Sequence, residues 1–180
     1  MIEVEKKYRL PADAQGTVER IRTLYSLSTA VRQVDLVYLN GISSFKDFTP
    51  GDPVLRCRSV DDAVTFTVKR KLPEGGVWEV ELPINDDGVD RVEDFVACLG
   101  WNLVTRVVKT RRSAQADGIT IVVDDVEELG QFVELEVLVA TTEEVEYALT
   151  SISRLCTKLG ISEEWEETRK YDELLAIESV

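Results

Sequence analysis

Apolar and polar residues alternate along several stretches of the chain, and what fills the polar positions is unusual. Near the N-terminus, "IEVEKKYRL" sets Glu3, Glu5 and Lys7 at every second position, while Ile2, Val4, Lys6 and Tyr8 take the others. In an extended strand residues i, i+2 and i+4 share a face, so these three charges project side by side. The pattern recurs. Arg56 and Arg58 alternate with Leu55 and Cys57; Thr65, Thr67, Lys69 and Lys71 with Val64, Phe66 and Val68; Glu79 and Glu81 with Trp78, Val80 and Leu82. Farther along, Lys109 and Arg111 alternate with Val108 and Thr110, Asp124 closes "ITIVVD", and Glu134 and Glu136 alternate with Val133, Leu135 and Val137.

With "VRQVDLVYLN" added, the pattern predicts about eight strands in two series. Turn material separates them: "DD" at 61–62, "PEGG" at 73–76 and "ADG" at 116–118. Helical spacing appears between the series. Val18, Ile21, Leu24 and Tyr25 follow Pro11 and Asp13 and predict a helix ending near Ser26. Val89, Val92, Phe95, Val96 and Leu99 fall on one side of a second helix that Gly100 would cap. Thr141 and Glu144 have capping-box spacing, opening a helix with Val145, Leu149, Ile152, Leu155, Cys156 and Leu159 ahead of Gly160. A last short helix covers "RKYDELLAI". This order of elements is α+β, not doubly wound.

Composition narrows the function. A chain of 180 residues, 44% hydrophobic and 31% charged, suits one domain over 1–180. No apolar run approaches the roughly 18 residues of a membrane span, and no signal-peptide pattern opens the sequence, so a cytoplasmic protein without a membrane partner is expected. Cys57, Cys98 and Cys156 are far apart and odd in number, reading as buried thiols. Histidine is absent, which removes Ser-His-Asp and Cys-His nucleophiles, histidine acid-base catalysis and histidine-containing zinc sites. A formal charge of −13 argues against duplex nucleic acid as a partner.

The polar faces can be read in two ways. On an open sheet with one wet face, the acidic pairs are salt bridges across neighbouring strands and need no ligand. Closed on itself, a barrel of about eight strands would turn the charges inward around a small ligand, with the helices covering the apolar outside. Buried charges need partners, and a polyphosphate with divalent cations supplies both signs: Arg and Lys for phosphate oxygens, carboxylates for the metal.

Glu3, Glu5 and Lys7 form an ExExK signature, and "VLRCR", "TFTVKRK", "VWEVEL", "VVKTRR", "VVDDVEELGQFVELEV" and "TRKYDELL" follow in order. On these motifs the chain resembles the CYTH superfamily, the triphosphate tunnel metalloenzymes, which include class IV adenylate cyclases and thiamine triphosphatases. The resemblance implies a closed antiparallel eight-stranded β-barrel with helices packed outside. It also implies Mg²⁺ or Mn²⁺ on Glu3, Glu5, Asp124, Glu134 and Glu136, with Glu79 and Glu81 lining the same acidic region. A small-molecule triphosphate would be bound by Lys7, Arg56, Arg58, Lys69, Lys109, Arg111 and Arg169, with Glu5, Lys69 and Tyr38 in catalytic roles. Tyr38 follows Asp35 as a tyrosine often follows an aspartate in the family.

Water attacking the terminal phosphorus would make a triphosphatase; a ribose hydroxyl attacking the α-phosphorus of ATP would make a cyclase. Class IV cyclases carry a His-Phe pair shortly before ExExK, which this chain lacks, and the expectation leans to hydrolysis. The alternatives are a class IV adenylate cyclase and a polyphosphate- or nucleotide-binding module without turnover. The expected assembly is a monomer or a homodimer.

Overall fold

Each alternating stretch folds as a strand in the computed structural model, which describes residues 2–61, 63–71, 77–84 and 89–178. In chain order the elements are β1 (Ile2–Arg9), α1 (Gln15–Leu24), β2 (Val31–Asn40), β3 (Val54–Val60), β4 (Ala63–Lys71), β5 (Val77–Ile84), α2 (Val89–Cys98), β6 (Trp101–Ala116), β7 (Ile119–Val126), β8 (Gly130–Val139), α3 (Val145–Leu159) and α4 (Tyr171–Glu178). The fold is α+β. The strands form one eight-stranded sheet in the order β1-β8-β7-β6-β2-β3-β4-β5. Pairing is antiparallel between β1 and β8, β7 and β8, β2 and β3, β3 and β4, and β4 and β5. β1 and β5 are the two ends of that order, and no pairing among the described residues joins them into a ring.

Contacts divide the chain into two compact units, residues 1–31 with 110–169 and residues 32–109 with 170–180. In the first, α1 and α3 lie on the apolar face of β1, β8 and β7. Val4, Tyr8, Ile21, Ile121, Val133, Leu135 and Ile152 form its centre. Thr141 and Glu144 make the expected capping box, though the first turn, Thr142–Glu144, is a 3₁₀ turn and α3 proper begins at Val145. Gly160 ends α3 with φ +72°, and a Cβ there would meet the Arg20 guanidinium, whose Nη1 donates to the Leu159 carbonyl at 2.7 Å. The "ADG" turn is tight, with positive φ at Asp117 and Gly118. α1 starts two residues later than Asp13, because Ala14 N–H donates to the Pro11 carbonyl and makes residues 11–14 a turn. The outer edge of β1 is partly occupied: Tyr8 forms an antiparallel bridge with Glu166, and Glu167 N–H donates to the Lys7 carbonyl at 2.8 Å.

In the second unit, α2 packs on the apolar face of β2, β3 and β4, over Leu36, Tyr38, Leu55, Cys57 and Val64. Here the helical expectation needs correcting. Among the residues of that stripe whose side chains are described, Val92 and Val96 are buried, whereas Phe95 and Leu99 are 60% and 58% exposed. The helix meets the sheet along one i, i+4 line, and the stripe beside that line faces solvent. Cys98 is likewise exposed, against expectation, while Cys57 and Cys156 are buried. The "PEGG" turn and Asp62 lie outside the described residues. No helix among the described residues is long and apolar enough to cross a membrane.

Candidate active site

Strand register, which a hydrophobic pattern cannot give, decides which charges meet. In the first unit, Glu5 stands opposite Glu136 and Lys7 opposite Glu134 across β1 and β8. Across β7 and β8, Asp124 stands opposite Phe132 and Val122 opposite Glu134. Arg111 from β6 reaches the same face. Its Nε and Nη2 donate to the two Asp124 oxygens at 2.8 and 2.6 Å, and Nη2 donates also to Glu134 at 2.6 Å. Asp124 is wholly buried and Glu134 nearly so. These are not the carboxylates of an ordinary wet face. At the turn end of this face, Phe132 is fully buried under the Arg9 guanidinium, 5.7 Å from the ring centre.

The acidic groups load one another. Burial, then the charges of Glu134, Glu3 and Glu5, push the Glu136 carboxyl up to about 7. Burial and the Glu134 charge also raise Glu5, against the pull of Lys7 and Arg111. The Glu5 side chain remains open to solvent. Water therefore reaches it, while the protein around it withdraws enough hydration to disfavour its charge.

The second unit arranges its charges in rows. Asp35, Arg58 and Thr65 lie opposite one another across β2, β3 and β4; Arg56, Thr67 and Glu81 across β3, β4 and β5; Lys69 and Glu79 across β4 and β5. Asp35, which the resemblance placed only as a neighbour of Tyr38, is buried and takes Arg58 as a two-toothed pair, both bonds 2.7 Å. Arg56 Nη2 donates to Thr67 Oγ1 at 3.1 Å, and Thr67 donates to Glu81 at 3.0 Å. Lys69 pairs with Glu79 at 2.9 Å. Burial and then the adjacent Arg58 charge press the Arg56 guanidinium below its ordinary value, and its buried Nε finds no acceptor among the described residues. Lys109 is buried with its ammonium 5.0 Å from the ring centre of Tyr171 on α4.

The structure therefore gathers Glu3, Glu5, Lys7, Arg111, Asp124, Glu134 and Glu136 in one unit and Arg56, Arg58, Lys69, Lys109, Glu79 and Glu81 in the other. Arg169 lies in the first unit with its guanidinium on Glu167. Tyr38 is not brought to the charges. Three residues on from Asp35 in the same strand, it points to the opposite face, 2% exposed among the apolar residues under α2. Burial, helped by the charge of Glu93, raises its hydroxyl far above the usual tyrosine value, unsuited to deprotonation. The motifs assign no role to Asp35, Thr67, Arg9 or Glu167. Each sits at a polar position, but its partner is set by register or by a segment distant in sequence.

The donor chemistry fits a divalent cation. Four glutamates, Glu3, Glu5, Glu134 and Glu136, repel one another, and hard carboxylate oxygens in excess of nearby positive charge suit Mg²⁺ or Mn²⁺. Among the described residues no three acidic or thiol groups stand as a ready metal cage. Asp124 and Glu134 are held by Arg111, so their coordination of a metal would require that fork to move. An open groove of about 860 Å³ in the first unit lies elsewhere, between α1 and the β7–β8 turn, and its lining includes Leu10, Val18 and Leu129 rather than these charges.

A family model for the CYTH domain matches residues 1–171. The chain belongs to the CYTH family. This CYTH chain is 28% identical over 175 residues to "Putative adenylate cyclase MJ0240" of Methanocaldococcus jannaschii, covering 97% of this chain and 98% of that one. It is similar to the structure of the PH1819 protein from Pyrococcus horikoshii, with TM-score 0.78, 28% identity, and 99% and 100% of the two chains covered. In fold it also matches HpAC1 of Hippeastrum, with TM-score 0.64, 18% identity, and 99% and 96% coverage; that cyclase-named protein is described as revealing a dominant triphosphatase activity.

Proposed function

We propose that this CYTH domain is a divalent-metal-dependent hydrolase of a triphosphate-containing substrate: inorganic triphosphate, thiamine triphosphate or a nucleoside triphosphate. The observation that carries the reading is an overloaded carboxylate set in the first unit, Glu5 opposite Glu136 beside Glu3 and Glu134. In the second unit the half-buried Arg56 keeps a buried Nε without an acceptor among the described residues. A buried unsatisfied donor costs about 1–3 kcal/mol, and a phosphate oxygen would satisfy it.

The ion would be held by Glu3, Glu5, Glu134 and Glu136, with Asp124 behind them, and would supply charge neutralisation and polarisation of a phosphoryl oxygen. The remaining work belongs to the protein. Arg56 and Arg58 grip phosphate oxygens with their planar forks, and Lys69 and Lys109 act as point charges against the charge that builds during phosphoryl transfer. Glu5, whose side chain solvent reaches, takes the proton of the attacking water. Lys7, Arg111 and Arg169 are further ligands for phosphate oxygens. Tyr38 has no part.

Recognition through phosphates is supported by the tryptophans, the side chains suited to stacking on an organic group. Trp78 is half-exposed on the apolar side of β5, Trp101 packs against the core of the second unit, and Trp165 packs against that of the first. Closure of the strands into the family's tunnel, and cytoplasmic action as a monomer or homodimer, belong to the same proposal. A class IV adenylate cyclase is the second reading, favoured by the name of the Methanocaldococcus relative.

The test is a product assay on purified protein with Mg²⁺ or Mn²⁺, offering inorganic triphosphate, thiamine triphosphate and ATP in parallel. Orthophosphate release is the expected result and ranks the substrates. Cyclic AMP with pyrophosphate would replace hydrolysis by cyclisation, and binding without product would reduce the domain to a triphosphate receptor.

A further inference from the structure

The segment after α3 returns to the ExExK strand and is tied there at several points. Tyr8 bridges to Glu166, Lys6 Nζ donates to the Glu166 carboxylate at 2.8 Å, and Glu167 N–H donates to the Lys7 carbonyl at 2.8 Å. The Glu167 side chain, only 11% exposed, then accepts three hydrogen bonds from Arg169: backbone N–H at 2.9 Å and Nε at 2.9 Å on Oε1, and Nη2 at 2.6 Å on Oε2. Arg169 itself is 48% exposed. A long cationic side chain at such exposure would ordinarily sample many rotamers. Here one edge of its planar guanidinium is fixed by a carboxylate whose backbone is anchored to β1, and fixing one edge of a rigid fork sets the direction of the other.

We propose that Glu167 is a positioning residue for substrate binding: it holds Arg169 oriented at the Lys7 end of β1, so that the guanidinium meets a triphosphate already ordered. The inference rests on the reading of the charged faces as a triphosphate holder. Arg169 binds phosphate oxygens, and Glu167 acts only through Arg169. The carboxylate remains charged across any working pH, since the Arg169 hydrogen bonds hold it down at about 2.

The experiment measures binding of inorganic triphosphate by calorimetry, with and without Mg²⁺, alongside KM and kcat for its hydrolysis, in wild type, Glu167→Ala, Arg169→Ala and the double variant. Preordering one rotamer-rich side chain predicts that Glu167→Ala weakens binding and raises KM about 3- to 10-fold, with kcat within about two-fold of wild type. The double variant should match Arg169→Ala, because Glu167 has nothing left to position. If Glu167→Ala binds as tightly as wild type, or more tightly, Glu167 is a bystander or a competitor and the proposal falls. If its effect persists when Arg169 is already alanine, the role is structural and the proposal also falls. Wild-type protein that does not bind inorganic triphosphate at all overturns the triphosphate reading together with this one, whereas normal wild-type binding with an inert Glu167 overturns this one alone.

Discussion

Glu5 lies directly opposite Glu136 in the β1–β8 register, two carboxylates facing each other on one side of an antiparallel pair. Like charges in that relation destabilise a sheet. The Glu136 carboxyl stands at about 7 in the folded chain against an ordinary 4.5. Between those values the folded state binds the proton that the unfolded state has lost. The contribution of Glu136 to stability is therefore greatest below about pH 4.5 and declines as pH rises through 7. In metal-free protein, Glu136→Gln should be more stable than wild type at pH 8 by about 1–3 kcal/mol, discounted for partial exposure, and equal to it near pH 4. Urea denaturation at the two pH values checks this; equal stability at pH 8 would show that the carboxylates do not load one another.

A divalent cation should remove the same penalty. At pH 8, Mg²⁺ or Mn²⁺ at a hundred times its dissociation constant should stabilise wild type by about 2.7 kcal/mol, read as a rise in melting temperature. Glu5→Gln should lose most of that rise and nearly all turnover while keeping the fold. An undiminished rise in Glu5→Gln would place the metal elsewhere.

Arg58 and Asp35 form a pair that the sheet buries on one side. Removing one partner of a buried pair leaves an uncompensated charge and costs about 3–5 kcal/mol. Asp35→Ala should show a loss of that order in chemical denaturation. Arg58→Ala should nearly abolish turnover, and full activity in that variant would sink the assignment of the guanidinium to phosphate.

The alternation of charges was legible in the sequence because a strand has a strict period of two, and the eight strands and the face of each charge follow from it. Asp35 and its arginine were not. They meet only because the connection over residues 41–53 returns β3 against β2 in one register, and nothing local in "GISSFKDFTPGDP" sets that register. Glu167 and Lys7 are likewise joined by a backbone hydrogen bond across most of the chain. Phe95 and Leu99 misled for a different reason. Helical spacing gives the apolar stripe but not how much of it the sheet covers. Tyr38 could have been placed from sequence alone, since a residue three positions from Asp35 in a strand lies on the other face.

That placement gives a prediction opposed to the family analogy. The Tyr38 hydroxyl is buried beneath α2 with no hydrogen-bond partner among the described residues. Burying a hydroxyl without a partner costs more than the contact it forgoes, and replacement by an apolar group of the same shape is neutral or stabilising. Tyr38→Phe should therefore keep turnover at the wild-type level and gain up to about 1 kcal/mol of stability. Tyr38→Ala, which removes the ring as well, should cost about 3–5 kcal/mol through the cavity it leaves among Leu36, Leu55 and Cys57. Steady-state kinetics and urea denaturation of the two variants separate the hydroxyl from the ring. A ten-fold or greater fall in kcat for Tyr38→Phe at unchanged stability would return the hydroxyl to the charged face and require β2 to present it there.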